Sequence, residues 1–69
     1  MYTVSVVFLG LGYSVPLTVT PISSEDLAKK FARQYFRLYS QHYPVKFVKV
    51  NREKITVFVV DDATETAGL

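Results

Sequence analysis

Chemistry needs side chains in company, and the groupings in this sequence are few. It holds one histidine, His42, and no cysteine, which leaves a zinc site without its usual ligands. Asp61 and Asp62 are adjacent carboxylates, but in an extended chain consecutive side chains point to opposite faces, so they would not share a proton or clasp a metal together. Gly10-Leu11-Gly12 opens like a dinucleotide fingerprint. Val15 stands where its third glycine belongs, however, and strand-like sequence follows, so no helix N-terminus faces a pyrophosphate. Gly12-Tyr13-Ser14-Val15-Pro16 opens like a nucleophile elbow and lacks the closing glycine. His42 suits the negative end of a helix as a simple favourable charge. Nothing assembles an acid, a base and an oxyanion site. The chain is therefore expected to be no enzyme, with no metal, no cofactor and no small-molecule substrate inferred.

The elements that organise these residues centre on one helix, from Ser23 to about His42. Ser23 is the expected cap, Asp26 its capping-box partner three residues on, and Ile22 and Leu27 the hydrophobic staple. Leu27, Ala28, Phe31, Ala32, Tyr35, Leu38 and Tyr39 project into one arc of about 140°, with Phe36 at its border. Lys29, Lys30, Arg33, Arg37, Ser40 and Gln41 take the other side. Tyr43 precedes Pro44, which pushes it out of helical geometry and ends the helix.

Four strand-like segments surround this helix. Residues 2–9 and 14–20 alternate apolar with Ser or Thr around a glycine-containing turn and read as a hairpin. Residues 45–50 and 54–60 read as a second hairpin around Asn51-Arg52-Glu53. Pro16 cannot donate to a ladder and marks an edge strand. Lys46 and Lys49 suggest the other edge, and the two strands apolar on both faces suggest the centre. The expectation is an α+β domain, ββαββ, with a four-stranded mixed sheet ordered 2-1-4-3, a parallel central pair and the helix on one face. That order resembles the β-grasp arrangement, a likeness of topology that implies no activity. One domain is expected over residues 1–62, with residues 63–69 a flexible acidic tail.

Composition narrows the function classes. A core built from 69 residues rarely supplies more than ~3–5 kcal/mol without a staple or a partner. Half the chain is apolar, with five Phe and five Tyr, which excludes disorder. Residues 1–24 contain no Lys, Arg, Asp, Glu or His, long enough for a membrane span at ~20 residues. Thr3, Ser5, Ser14, Thr18 and Thr20, with Pro16, Pro21, Gly10 and Gly12, interrupt any such span. A soluble, cytoplasmic protein with no signal peptide and no membrane partner is expected.

Two surfaces carry functional expectations. The sheet face away from the helix is expected to expose Val7, Leu9, Phe58 and Val60, with Val48 and Val50, inside a border of Thr3, Ser5, Thr18 and Thr20. Such a face suits a small non-enzymatic protein–protein interaction module that forms a homodimer or docks another protein. All eight basic residues lie within residues 27–54, opposed there only by Glu53. Glu25 and Asp26 precede Lys29 and Lys30 by four and can pair with them. The alternative function is thus a nucleic-acid-binding protein using Arg33, Arg37, Lys46, Lys49 and Arg52, although the RNP pattern of RNA-stacking sheets is missing.

Overall fold

A computed structural model describes residues 1–63 and the backbone of residues 65–67. In chain order the elements are β1 (Tyr2–Phe8), β2 (Ser14–Pro16), α1 (Glu25–Ser40), β3 (Val45–Arg52), β4 (Ile55–Val60) and β5 (Glu65–Ala67). The strands form one sheet, β2-β1-β3-β4-β5, in which every neighbouring pair is antiparallel. The class is α+β, as the segment pattern implies. The 2-1-4-3 order and its parallel central pair are overturned, and the β-grasp likeness that rested on them falls too. Of the expected tail, residues 65–67 pair with β4 as β5; residues 64, 68 and 69 lie outside the described residues.

The misplaced strand is β3, and its lysines explain why. Lys49 alternates onto the face away from the helix, between Ser5 and Val59, and stays partly exposed while the strand is bonded on both sides. Lys46 is the extra residue of a bulge, where Val7 pairs with Phe47 and Phe8 pairs with Val45, and bulged residues escape the ladder's alternation. Neither lysine needs an edge. The double-sided apolarity of β4 does mark an interior strand, but its second neighbour is β5 and not β1. Pro16 lies on an edge strand as expected. The Leu17 N–H donates to the Val4 carbonyl at 2.8 Å, so by alternation the position one residue earlier turns its missing N–H outward.

One face of the sheet is dry. Val4 pairs with Val50 and Val6 with Val48, and the rows continue to Phe58 and Val60 on β4. All six are buried, and α1 covers them with Ala28 and Ala32. Two alanines four apart place no bulk between helix and sheet, so the axis can lie close to the valines.

Sequence sets the ends of α1. The cap is Ser24, whose Oγ accepts from the Leu27 N–H at 3.2 Å; Ser23 and the Asp26 capping box are one residue out. The cause lies upstream. Ile22 exchanges two backbone bonds with Tyr2, at 2.7 and 2.8 Å, which holds the chain extended until just before the helix. The buried stripe is turned accordingly: Leu27 and Leu38 face solvent, while Phe36 packs against the core. At the far end the N–H groups of His42 and Tyr43 both donate to the Tyr39 carbonyl, and Pro44 stops any continuation. Among the described residues no helix is long and apolar enough to cross a membrane.

Candidate functional site

The open face of the sheet is not the surface expected from the sequence. Across the strands it reads Ser14–Val7–Phe47, then Pro16–Ser5–Lys49–Val59, then Thr3–Asn51–Thr56. Val48, Val50, Phe58 and Val60, expected here, point the other way and lie in the core. The physical reason is register. Lys49 and Asn51, the polar residues on either side of Val50, take the wet face, so Val48 and Val50 take the dry one. Phe58 and Val60 sit opposite those two valines and follow them. A bulge after Val50, where Asn51 pairs with Thr56, then removes any simple parity from β4. Val7 does lie on the open face, half-buried beside Phe47. Leu9 lies beyond the strand, in the turn.

The basic residues do not converge on one surface. Phe58, only 3% exposed, lies beneath Lys29 and Arg33, whose Nζ and Cζ stand 5.5 and 5.1 Å from its ring centroid, within cation–π range. Lys29 also pairs with Glu25 at 3.0 Å, as its spacing implies. Glu25 Oε1 further accepts from the Tyr2 hydroxyl at 3.0 Å. The Lys29 hydrogen bond, then that of Tyr2, then the Lys29 charge hold the Glu25 carboxyl below its ordinary pKa. Asp26 makes no such pair with Lys30 among the described residues. Arg33 and Arg37 share one flank of α1. Lys49 is on the opposite face of the sheet, Lys46 in the bulge, and Arg52 at the far end of β3, where its charge also lowers the Glu25 pKa.

Beside Arg33 and Arg37 lies a cleft of about 440 Å³ between the C-terminal half of α1 and the end of β4. Gln41 adds an amide to it, Phe36 and Val60 an apolar surface, and Asp61 a carboxylate. Among the described residues no three His, Cys, Asp or Glu side chains gather where a metal ion could sit.

A further surface, an apolar one, escaped the sequence analysis. Phe8 to Leu11 form a tight turn, with the Leu11 N–H donating to the Phe8 carbonyl at 3.2 Å. Gly10 takes φ +87°, which is what the third position of a type II turn demands. Leu9 N–H donates to the Pro44 carbonyl at 2.8 Å and ties this turn to the chain leaving α1. Phe8 meets Tyr39 and Tyr43 edge-on, with centroids 6.3 and 5.8 Å away. Those tyrosines end a row of tilted ring contacts that runs along α1 and just past it, through Phe31, Tyr35, Tyr39 and Tyr43 at four-residue steps. Around this frame Leu9 is 58% exposed, Leu11 41%, Tyr13 65% and Tyr43 55%. A signal was present: three large apolar residues occupy a turn where Asn, Asp or Ser would be usual.

The fold and these surfaces define an α+β domain with an antiparallel sheet backed by one helix. No family model, curated protein or solved structure matches the chain.

Proposed function

We propose that this is a small non-enzymatic protein-interaction module that pairs with a second copy of itself through the apolar end built from Leu9, Leu11, Tyr13 and Tyr43. The observation behind it is the exposure of four large apolar side chains at one end of the molecule. Burying such a side chain fully stabilises by ~1.5–3 kcal/mol, and association must first overcome its own entropy cost, so a cluster is needed and a cluster is present. Charge permits self-association. The turn belongs to the stretch of 24 residues without Lys, Arg, Asp, Glu or His, so a two-fold axis would bring it onto its own copy without like-charge repulsion. Val7, on the open face beside the turn, and Leu9 keep their place as interface candidates; Val48, Phe58 and Val60 act through the core instead.

Sedimentation velocity over a concentration series tests this. Wild type is expected to move from monomer to dimer, and Leu9→Asp/Leu11→Asp to stay monomeric with an unchanged fold. A wild-type monomer at every concentration would sink the proposal. Nucleic-acid binding is not adopted, since of Arg33, Arg37, Lys46, Lys49 and Arg52 only the first two are neighbours on one flank. The cytoplasmic location expected from the sequence belongs to the same proposal, and cell fractionation checks it.

A further inference from the structure

We infer that the cleft between α1 and the end of β4 binds a monocarboxylate with a short apolar body. Its volume, about 440 Å³, falls in the range of small-ligand sites. Arg33 and Arg37, four residues apart, bring two guanidinium groups to one flank. Arg33 is held in place, since its Cζ lies 5.1 Å from the Phe58 centroid. Arg33 and Asp61 both engage other groups of the chain. Arg37 has no ion-pair partner among the described residues, so its planar fork is the group poised for a carboxylate, which it matches with two parallel N–H bonds.

The rest of the lining narrows the ligand. The Gln41 amide can add a donor to the same anion. The Ser40 hydroxyl donates to the Phe36 carbonyl, so its proton is already engaged. Among the described residues the charged groups of the lining are Arg33, Arg37 and Asp61, and of these the Arg37 fork matches the two oxygens of a single carboxylate. Phe36 and Val60 supply the apolar contact for the body of the ligand. The carboxylate could belong to a free acid or to the C-terminus of a polypeptide, and the chemistry is shared. This site does not depend on self-association through the apolar end.

The test is an NMR titration of the full chain with hexanoate, hexanamide, inorganic phosphate, and a leucine-ended tetrapeptide with a free or an amidated terminus. Hexanoate should shift the amide signals of Arg37, Gln41 and Val60 saturably, and hexanamide should not. Arg37→Gln should weaken hexanoate about tenfold or more, as loss of a charge-assisted pair implies, and Arg37→Lys, which keeps charge without the fork, should restore part. Arg37 is exposed, so both variants should keep the wild-type spectrum elsewhere. Tighter binding of the free-terminus peptide than of hexanoate would assign the site to a chain terminus, and the reverse to a free acid; both uphold it. Equal shifts by hexanamide, indifference to Arg37→Gln, or stronger binding of phosphate would overturn it.

Discussion

The β1–β2 and β3–β4 hairpins solve the same geometric problem with opposite surfaces. Each turn holds one residue in the left-handed region: Gly10 at φ +87° between β1 and β2, and Glu53 at φ 58° between β3 and β4. The second turn, Arg52-Glu53-Lys54, is charged and exposed, and Thr56 Oγ1 donates to Asn51 Oδ1 at 2.7 Å to brace its base. The first is uncharged and surrounds its glycine with Leu9, Leu11 and Tyr13. A charged tip needs no explanation beyond solvation. An apolar tip costs solubility and is better understood as a surface that is covered in use. The contrast is the reason the proposed interface is placed at the β1–β2 end.

The contrast can be broken or sharpened by substitution, and the largest effect belongs to what the hairpins share. Phe58→Ala, on the inner face of β4, is expected to cost ~3–5 kcal/mol in urea unfolding. Val7→Ala, on the outer face of β1, should cost under ~1 kcal/mol. If the two losses are equal, the assignment of dry and wet faces is wrong. Next come the turns, with effects of opposite sign. Gly10→Ala meets no neighbouring atom, yet it places a side chain at positive φ and should destabilise by ~1 kcal/mol. Gly12→Ala, also in open space and at an ordinary φ, should be nearly neutral. Glu53→Gly should stabilise by ~0.5 kcal/mol, because relief of left-handed strain slightly exceeds the entropy that glycine brings to the unfolded chain. Thermal melts of the three variants decide this.

A cap substitution is of the same size as Gly10→Ala. Ser24→Ala should cost about 1 kcal/mol and Ser23→Ala almost nothing, because it is Ser24 that accepts from the Leu27 N–H at the helix N-terminus. The smallest effect is a pH dependence. The folded pKa of Glu25 is lowered by Lys29 and Tyr2, so its contribution is present above the ordinary carboxylate pKa and lost as pH falls through the lowered value. Melting temperatures of wild type and Glu25→Gln should therefore converge in acid and separate above it. A gap that persists into acid would contradict that origin.

Much of the fold was legible in the residues. Pro44 ended the helix, Pro16 marked an edge, and the glycines and the polar run at Asn51 placed both turns. Strand order was not legible, because a lysine marks an edge only when its strand has no wet face to send it to; β3 has one, and a bulge for Lys46 as well. The phase of β4 was hidden in Ile55–Val60, which is apolar on both faces and is resolved only by pairing Phe58 with Val50. The candidate surface was half legible. The stretch without charges was plain, but its weight fell on sheet residues and not on the turn, where exposure depends on the tertiary position of Pro44 and Tyr43.

The central claim is that the apolar end, and not the open sheet, is where two copies meet. Isotope-filtered NMR on a mixture of labelled and unlabelled chains tests it most directly. Contacts between chains should run from the Leu9 and Leu11 methyl groups to the Tyr13 and Tyr43 rings. Contacts confined to Val7, Phe47 and Val59 would contradict it, as would a dimer with none at the turn.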